Sequence, residues 1–265
     1  MPNVRGLILA GGEGTRLRPL TYYFQKCMMP VGFEQKPVLE YIIRLFKHHN
    51  IDDIVLLVGY KHQQIVNYFD DGRRFGVKIT YVIDDPEFRG SGNAIIHAYR
   101  EGILSKEDCL IAYYGDILSN INLQELVDHH LSSGAAVTVA MAKGYKIRVG
   151  TAEVGEDGRI RRFIEKPELE TPACVGILAM SGEALEEMDA LSREWGKRPL
   201  DLMGDVIPYL IERGRLVNAY ITEAFWYDLG SIERYEKLSN SEVEEQLSFL
   251  MRGEAPKRPR RAKVS

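Results

Sequence analysis

Val4-Arg5-Gly6-Leu7-Ile8-Leu9-Ala10-Gly11-Gly12-Glu13-Gly14-Thr15-Arg16-Leu17 is the stretch that decides how the rest of the chain is read. Val4 to Ala10 is a short apolar run ended by glycines, the pattern of a buried strand. Gly11, Gly12 and Gly14 follow it directly. Glycines there let the backbone approach a ligand and aim N–H groups at phosphate oxygens. Arg16 adds a planar, permanent cation suited to a polyphosphate. Two other phosphate motifs do not fit. A dinucleotide fingerprint running from Gly12 and Gly14 needs Gly or Ala at position 17, which is Leu17. A P-loop ends in Gly-Lys-Ser/Thr, which is absent. On these residues alone, a plain tight turn remains open.

Outward from this stretch, strand and helix patterns alternate. Pro37 to His49 predicts a helix with Val38, Tyr41, Ile42, Leu45 and Phe46 on one face. Ile54 to Val58 predicts a strand, His62 to Phe69 a helix and Lys78 to Ile83 a strand. Asn93 to Leu104 predicts a helix and Cys109 to Tyr114 a strand. Asn122 with Glu125 forms a capping box for a helix to about Leu131. Alternation at this spacing implies crossover connections and a mainly parallel sheet. After about residue 135 the pattern changes. Ala136–Met141, Val149–Val154, Ile160–Ile164 and Cys174–Met180 read as strands, with Asp157-Gly158 as a hairpin turn. Helices are expected over Gly182–Arg193 and Pro199–Arg213, strands over Leu216–Ile221 and Trp226–Leu229, and a last helix from near Ser231. The reading is one domain over residues 1–252, with a nucleotide half to about 135 and a second half from 136 that completes the site. Residues 253–265 carry five basic residues and two prolines and are expected to be a disordered tail.

Totals narrow the function classes. A chain of 265 residues with 45% apolar content supports a substantial core. A net charge of −4 argues against a general nucleic-acid binder. No apolar run reaches the roughly 18 residues of a membrane span, and no signal-peptide pattern opens the chain. Cys27, Cys109 and Cys174 are dispersed and odd in number, so the expected location is cytoplasmic. His48-His49 and His129-His130 fall at predicted helix ends and read as surface positions.

The longer string from Leu9 through Arg16-Leu17-Arg18-Pro19-Leu20-Thr21, then Lys26, Met29-Pro30-Val31 and Lys36-Pro37, resembles the signature of the sugar-1-phosphate nucleotidylyltransferases. The resemblance continues to about Asn240. It is nearest in pattern to mannose-1-phosphate guanylyltransferases and glucose-1-phosphate thymidylyltransferases. It implies a Rossmann-like, mixed and mainly parallel α/β sheet sandwiched by helices, the nucleotide-diphospho-sugar transferase fold. It also implies transfer of a nucleotidyl group from an NTP to a sugar 1-phosphate, releasing pyrophosphate. The β-helix that some relatives append would need hexapeptide repeats, and none are present.

By the same resemblance, Asp116 in Tyr113-Tyr114-Gly115-Asp116 and Asp228 in Phe225-Trp226-Tyr227-Asp228-Leu229-Gly230-Ser231 hold Mg²⁺. Leu9, Ala10, Gly11, Gly12, Gly14, Thr15 and Arg16 receive the nucleotide. Arg16 holds the leaving pyrophosphate, and Lys26 the phosphoryl oxygens. Gly150, Glu165, Lys166, Val175 and Gly176 receive the sugar phosphate. Two departures stand out: Gln25 where the family usually has proline, and Cys174 where it usually has an asparagine that reads a sugar hydroxyl. Cysteine is a weak hydrogen-bond partner, so sugar identity stays open, as does a homo-oligomer.

The loop Asp84-Asp85-Pro86-Glu87-Phe88-Arg89-Gly90-Ser91-Gly92 resembles the family's base-reading loop, with Gly90 and Ser91 at the nucleotide. Counting back from Gly90 puts Asp85 where several thymidylyltransferases place a glutamine. A carboxylate only accepts, and guanine offers the two neighbouring donors N1–H and N2–H. GTP is therefore the favoured nucleotide, with mannose 1-phosphate as its partner. The alternatives are UTP, dTTP or CTP with glucose 1-phosphate, or a non-catalytic relative that binds nucleotide sugars and regulates a partner.

Overall fold

The computed structural model describes residues 3–144, 149–168 and 171–252. The expected basic tail lies outside these. In chain order the elements are β1 (Asn3–Ala10), β2 (Pro30–Val31), β3 (Lys36–Pro37), α1 (Val38–His48), β4 (Asp53–Val58), α2 (His62–Phe69), β5 (Lys78–Ile83), α3 (Ser91–Arg100), β6 (Asp108–Tyr114), β7 (Ile117–Ser119) and α4 (Leu123–Ser133). Then follow β8 (Val137–Ala142), β9 (Thr151–Val154), β10 (Ile160–Ile164), β11 (Ala173–Ser181), α5 (Glu183–Trp195), α6 (Ile207–Glu212), β12 (Val217–Thr222), β13 (Trp226–Asp228), α7 (Ile232–Lys237) and α8 (Asn240–Arg252). The long helix expected over Pro199–Arg213 is instead a π-helical turn at Leu202–Val206 running into the shorter α6. Asp201 starts that turn, its carboxylate accepting from the N–H groups of Met203 and Gly204.

Seven strands form the central sheet in the order β12-β8-β11-β6-β1-β4-β5. Every neighbouring pair is parallel except the two made by β11. The chain runs from β1 outward to β4 and β5, then returns to lay β6 on the other side of β1. The strand order thus reverses between β1 and β6, which is where open α/β sheets bind ligands beyond the strands' carboxyl ends. Gly11 and Asp116 both follow strands that end there.

Two apolar layers hold the sheet. On one face Ile8, Ile42, Phe46, Ile54 and Tyr113 pack together with α8 residues Val243 and Leu247. On the other, Leu7, Leu57, Ile95, Leu110, Leu178 and Met188 do so. Successive residues of β1 alternate between these layers, as strand geometry requires. The expected face of α1 is the buried one, and Asn122 caps α4 by accepting from the Glu125 N–H. His130 departs from expectation. It is 2% exposed, with Nδ1 paired to the Thr138 hydroxyl at 3.0 Å across to β8. The turn after α4 folds that end of the helix onto the sheet, which a helix-end position in the sequence does not reveal.

Burial lowers the His130 pKa to about 4, with His129 pushing the same way. The unfolded chain therefore takes up this proton at a higher pH than the folded one. Stability should be full above about pH 6.5 and fall as pH drops toward about 4. In His130→Gln, that part of the acid destabilisation should shrink in denaturant titrations at pH 7.5 and 4.5.

Candidate active site

The glycine-rich loop, expected to bind phosphate, leaves β1 with its amides open. No backbone N–H of Gly11, Gly12, Glu13 or Gly14 has an acceptor among the described residues. Their carbonyls are partly used: Gly11 O accepts from the Tyr60 N–H at 2.9 Å, and Gly14 O from the Thr21 hydroxyl at 2.9 Å. Gly14 is left-handed at φ 62°, and a Cβ on it would press the Lys26 side chain at 3.1 Å. Donors aimed outward from a loop after a strand are suited to an anion.

Lys26 runs past Gly12 and Gly14 to Asp116, Nζ to Oδ2 at 2.8 Å. Asp116 is buried and Lys26 partly so. Burial alone would lower the Lys26 pKa, but the Asp116 carboxylate outweighs it and leaves the pKa raised. Asp116 is 7% exposed and follows β6 through Gly115, whose N–H donates to Leu9 O at 3.0 Å. Asp228 is brought alongside by the antiparallel pairing of β13 with β7, which sets it opposite Ile117. The Leu229 N–H also donates to Asp116 O at 3.0 Å. Asp228 accepts from the Gly230 N–H and is ion-paired with Arg234 of α7. The guanidinium of Arg16 lies over Gly230, 3.1 Å from where a Cβ would stand, with no acceptor among the described residues. Arg16, Lys26, Asp116 and Asp228 therefore meet at one place.

A cavity of about 660 Å³ opens beside the loop, bounded by Gly11, Gly59, Ile83, Asp84, Phe88 and Tyr114. Ile83 and Phe88 give it an apolar wall. Asp84 and Asp85 stand in different surroundings. Asp85 is exposed, and its Oδ1 accepts from the Glu87 N–H at 2.8 Å, holding the turn. Asp84 is half-buried and pressed against Gly11: a Cβ there would lie 1.8 Å from its Oδ2, and one on Gly59 2.5 Å away. No donor among the described residues meets its carboxylate. Burial raises its pKa to about 6, with His97 pulling the other way. Asp84 directly follows β5, and that signal, a carboxylate at the carboxyl end of a parallel strand, could have pointed to it.

Ser91 is at the cavity rim, but its hydroxyl is already engaged. It donates to Asp201 at 2.9 Å and accepts from the Leu202 N–H at 2.8 Å. Gly90, at φ 102°, packs so closely on Leu200 that a Cβ would lie 2.3 Å from Leu200 O. The loop expected to read the base is thus fastened to the π-helical turn.

The expected sugar-phosphate residues are more open. Gly150 is covered by Phe163 and Glu165: a Cβ would lie 2.4 Å from the Phe163 ring and 2.9 Å from Glu165. Lys166 is exposed and left-handed at φ 48°. Val175 is 1% exposed and packs in the core, so only its backbone can serve a ligand. Gly176, at φ 76°, lies where the register of β11 on β8 shifts, and its N–H donates to Cys174 Sγ at 3.4 Å. A bulge there turns the strand next to the site. Gln64 and Asp201 had no sequence signal, because each acts through a contact between distant segments, Gln64 with Gln25 and Tyr23 and Asp201 with Ser91; Arg234 reaches Asp228 from six residues along the chain, on the first turn of α7.

The chain matches a family model described as Nucleotidyl transferase over residues 5–245. It is 30% identical over 249 residues to a UTP–glucose-1-phosphate uridylyltransferase of Synechocystis, covering 88% of this chain and 61% of that protein. It is 30% identical to a mannose-1-phosphate guanylyltransferase of Mycobacterium tuberculosis, covering 96% and 66% respectively. Against a D-glycero-α-D-manno-heptose 1-phosphate guanylyltransferase of Aneurinibacillus thermoaerophilus, identity is 29%, covering 88% of this chain and 96% of that one. The chain thus spans less than two thirds of the first two relatives and nearly all of the third. Among solved structures, HddC from Yersinia pseudotuberculosis complexed with GMP-PN superposes with a TM-score of 0.64 at 21% identity, covering 89% of this chain and 97% of that one. A Bacillus anthracis protein in complex with sucrose gives 0.70 at 23% identity, covering 88% and 93%. These likenesses carry the fold; the match over residues 5–245 carries the family, and the chain belongs to the nucleotidyl transferases.

Proposed function

We propose that this chain joins an NTP to a sugar 1-phosphate, giving an NDP-sugar and pyrophosphate. The observation that carries the reading is the meeting of Arg16, Lys26, Asp116 and Asp228 beside a loop of unpaired amides. A phosphate oxygen of the sugar phosphate attacks the α-phosphorus of the NTP in line. The bond to the β-phosphate oxygen breaks, and pyrophosphate departs with its electron pair. No covalent enzyme intermediate is needed, so the protein contributes position and charge. Arg16 and the loop amides hold the leaving group, and Lys26 the phosphoryl oxygens at the centre.

Asp116 and Asp228 fit Mg²⁺ as a pair. Their strands are joined by hydrogen bonds, and no third His, Cys, Asp or Glu joins them among the described residues. Two carboxylates leave room for the waters and substrate oxygens that Mg²⁺ keeps. When bound, the ion offsets charge on the phosphoryl oxygens. Lys26 and Arg234 are the cations paired with the two carboxylates.

Asp84 is the base reader in this proposal. Its unpaired carboxylate asks for two adjacent donors, which guanine's N1–H and N2–H supply; uracil and thymine would turn carbonyl oxygens toward it, a cost of about 1–3 kcal/mol. GTP is therefore the favoured nucleotide, and mannose 1-phosphate the favoured sugar. The exposed Cys174 offers only a weak partner to a sugar hydroxyl.

Pyrophosphate release should be measured for each NTP with mannose 1-phosphate and glucose 1-phosphate. GTP should give the highest kcat/KM. A tenfold preference for UTP or dTTP would overturn the base assignment, and no release with any pair would overturn the reaction.

The Asp84 carboxylate is ionised above about pH 6, so the KM for GTP should be lowest there and rise as pH falls below it. Asp84→Asn should remove that rise. A wild-type KM flat between pH 5 and 8 would contradict the role.

Arg16→Ala should impair NTP use more than sugar-phosphate use, by roughly 2–4 kcal/mol of transition-state stabilisation. A loss seen mainly in the sugar-phosphate KM would place Arg16 elsewhere.

A further inference from the structure

The segment that carries Lys26 is fastened from outside the phosphate loop. Gln25 is 0% exposed, and its amide bridges two backbone groups. Nε2 donates to Ala10 O at 2.7 Å, and Oε1 accepts from the Cys27 N–H. Its own N–H donates to Gln64 Oε1 at 2.7 Å, while Gln64 Nε2 donates to Tyr23 O at 2.7 Å. Gln64 sits on the first turn of α2. One turn earlier, the Tyr60 hydroxyl donates to Thr21 O at 2.9 Å. The entry to α2 therefore grips residues 21–25 at three points. The same segment touches the phosphate loop through Thr21 and Gly14.

Gln25 has φ −68° and ψ 138°, a conformation that proline also adopts. A proline would need no acceptor for its nitrogen. Gln25 does need one, and in this interior an unpaired N–H is costly. Gln64 meets that need and pairs a neighbouring carbonyl as well. A flexible lysine can hold one place only if its backbone is held, since its long stem rotates freely.

We propose that Gln64 is a positioning residue for Lys26. By pairing the Gln25 N–H and Tyr23 O, it fixes the Lys26 backbone so that the ammonium meets the reacting phosphates. This rests on the reading that Lys26 acts at the phosphoryl centre. Gln64 is not among the residues that bound the cavity. Removing it should lower the rate of the chemical step and leave nucleotide binding little changed, because the loop amides and Arg16 remain.

The test is a double-mutant cycle on the full chain, with steady-state pyrophosphate release and melting temperature as readouts. Gln64→Leu should lower kcat about tenfold and change the NTP KM by less than about twofold. Gln64→Met, nearer in shape, serves the same purpose if Gln64→Leu does not fold. Gln64→Glu keeps an acceptor for the Gln25 N–H and should recover most of kcat. In a Lys26→Ala background, Gln64→Leu should add no further loss, since coupled residues are not additive. An unchanged kcat in both Gln64→Leu and Gln64→Met, or a full additional loss in the Lys26→Ala background, would overturn the positioning role. Near-normal turnover by Lys26→Ala alone would instead overturn the role given to Lys26.

Discussion

Lys26 places its ammonium 2.8 Å from the Asp116 carboxylate, in a spot where both are largely shielded from water. Taking two charges out of water costs several kcal/mol each, and the pair only partly offsets it. Such a contact is a poor device for stability alone. It does join the segment that carries Lys26, which runs past the glycine loop after β1, to the carboxylate after β6. Around it, each neighbour has a fixed place. Gly115 packs against Leu9 and Cys27, Gly14 leaves space for the lysine stem, and Gln25 and Gln64 hold the lysine backbone. Removing one partner would strand a buried charge, at about 3–5 kcal/mol.

The candidate site is also balanced in charge before any substrate arrives. Asp116 has Lys26, and Asp228 has Arg234. Arg16 and four loop amides stay without acceptors among the described residues. A polyphosphate entering here meets donors that need not give up other partners, which is what electrostatic preorganisation requires. The region expected to receive the sugar phosphate is looser. Among the described residues the β9–β10 hairpin is paired only within itself in the sheet pattern, and Ile160 and Phe163 remain about 60% exposed.

Much of this was legible from residue order. Strand and helix periods located β1, α2, β5 and β10 closely, because each is a short element with its apolar residues at one spacing. The glycines and Arg16 suggested a phosphate loop, and a carboxylate at a strand's end suggested Asp116; the structure brings these residues together. Contacts between distant segments were not legible. Asp84 and Asp85 are adjacent, and only the orientation of the strand end decides which one presses on Gly11. The helix expected over Pro199–Arg213 breaks because Leu200 is held by Arg89 and Asp201 caps a wider turn. His130 is buried by a turn that returns the chain to β8.

In the proposed reaction Asp116, paired with Lys26 and flanked by Asp228, forms the centre at which the nucleotidyl group is transferred. The most direct test of this role is the rate of pyrophosphate release by purified Asp116→Asn, with folding checked by circular dichroism. Asparagine keeps the shape and removes the charge. The account predicts a native spectrum and a fall in turnover of at least about a hundredfold. Near-normal release by the folded variant would contradict it.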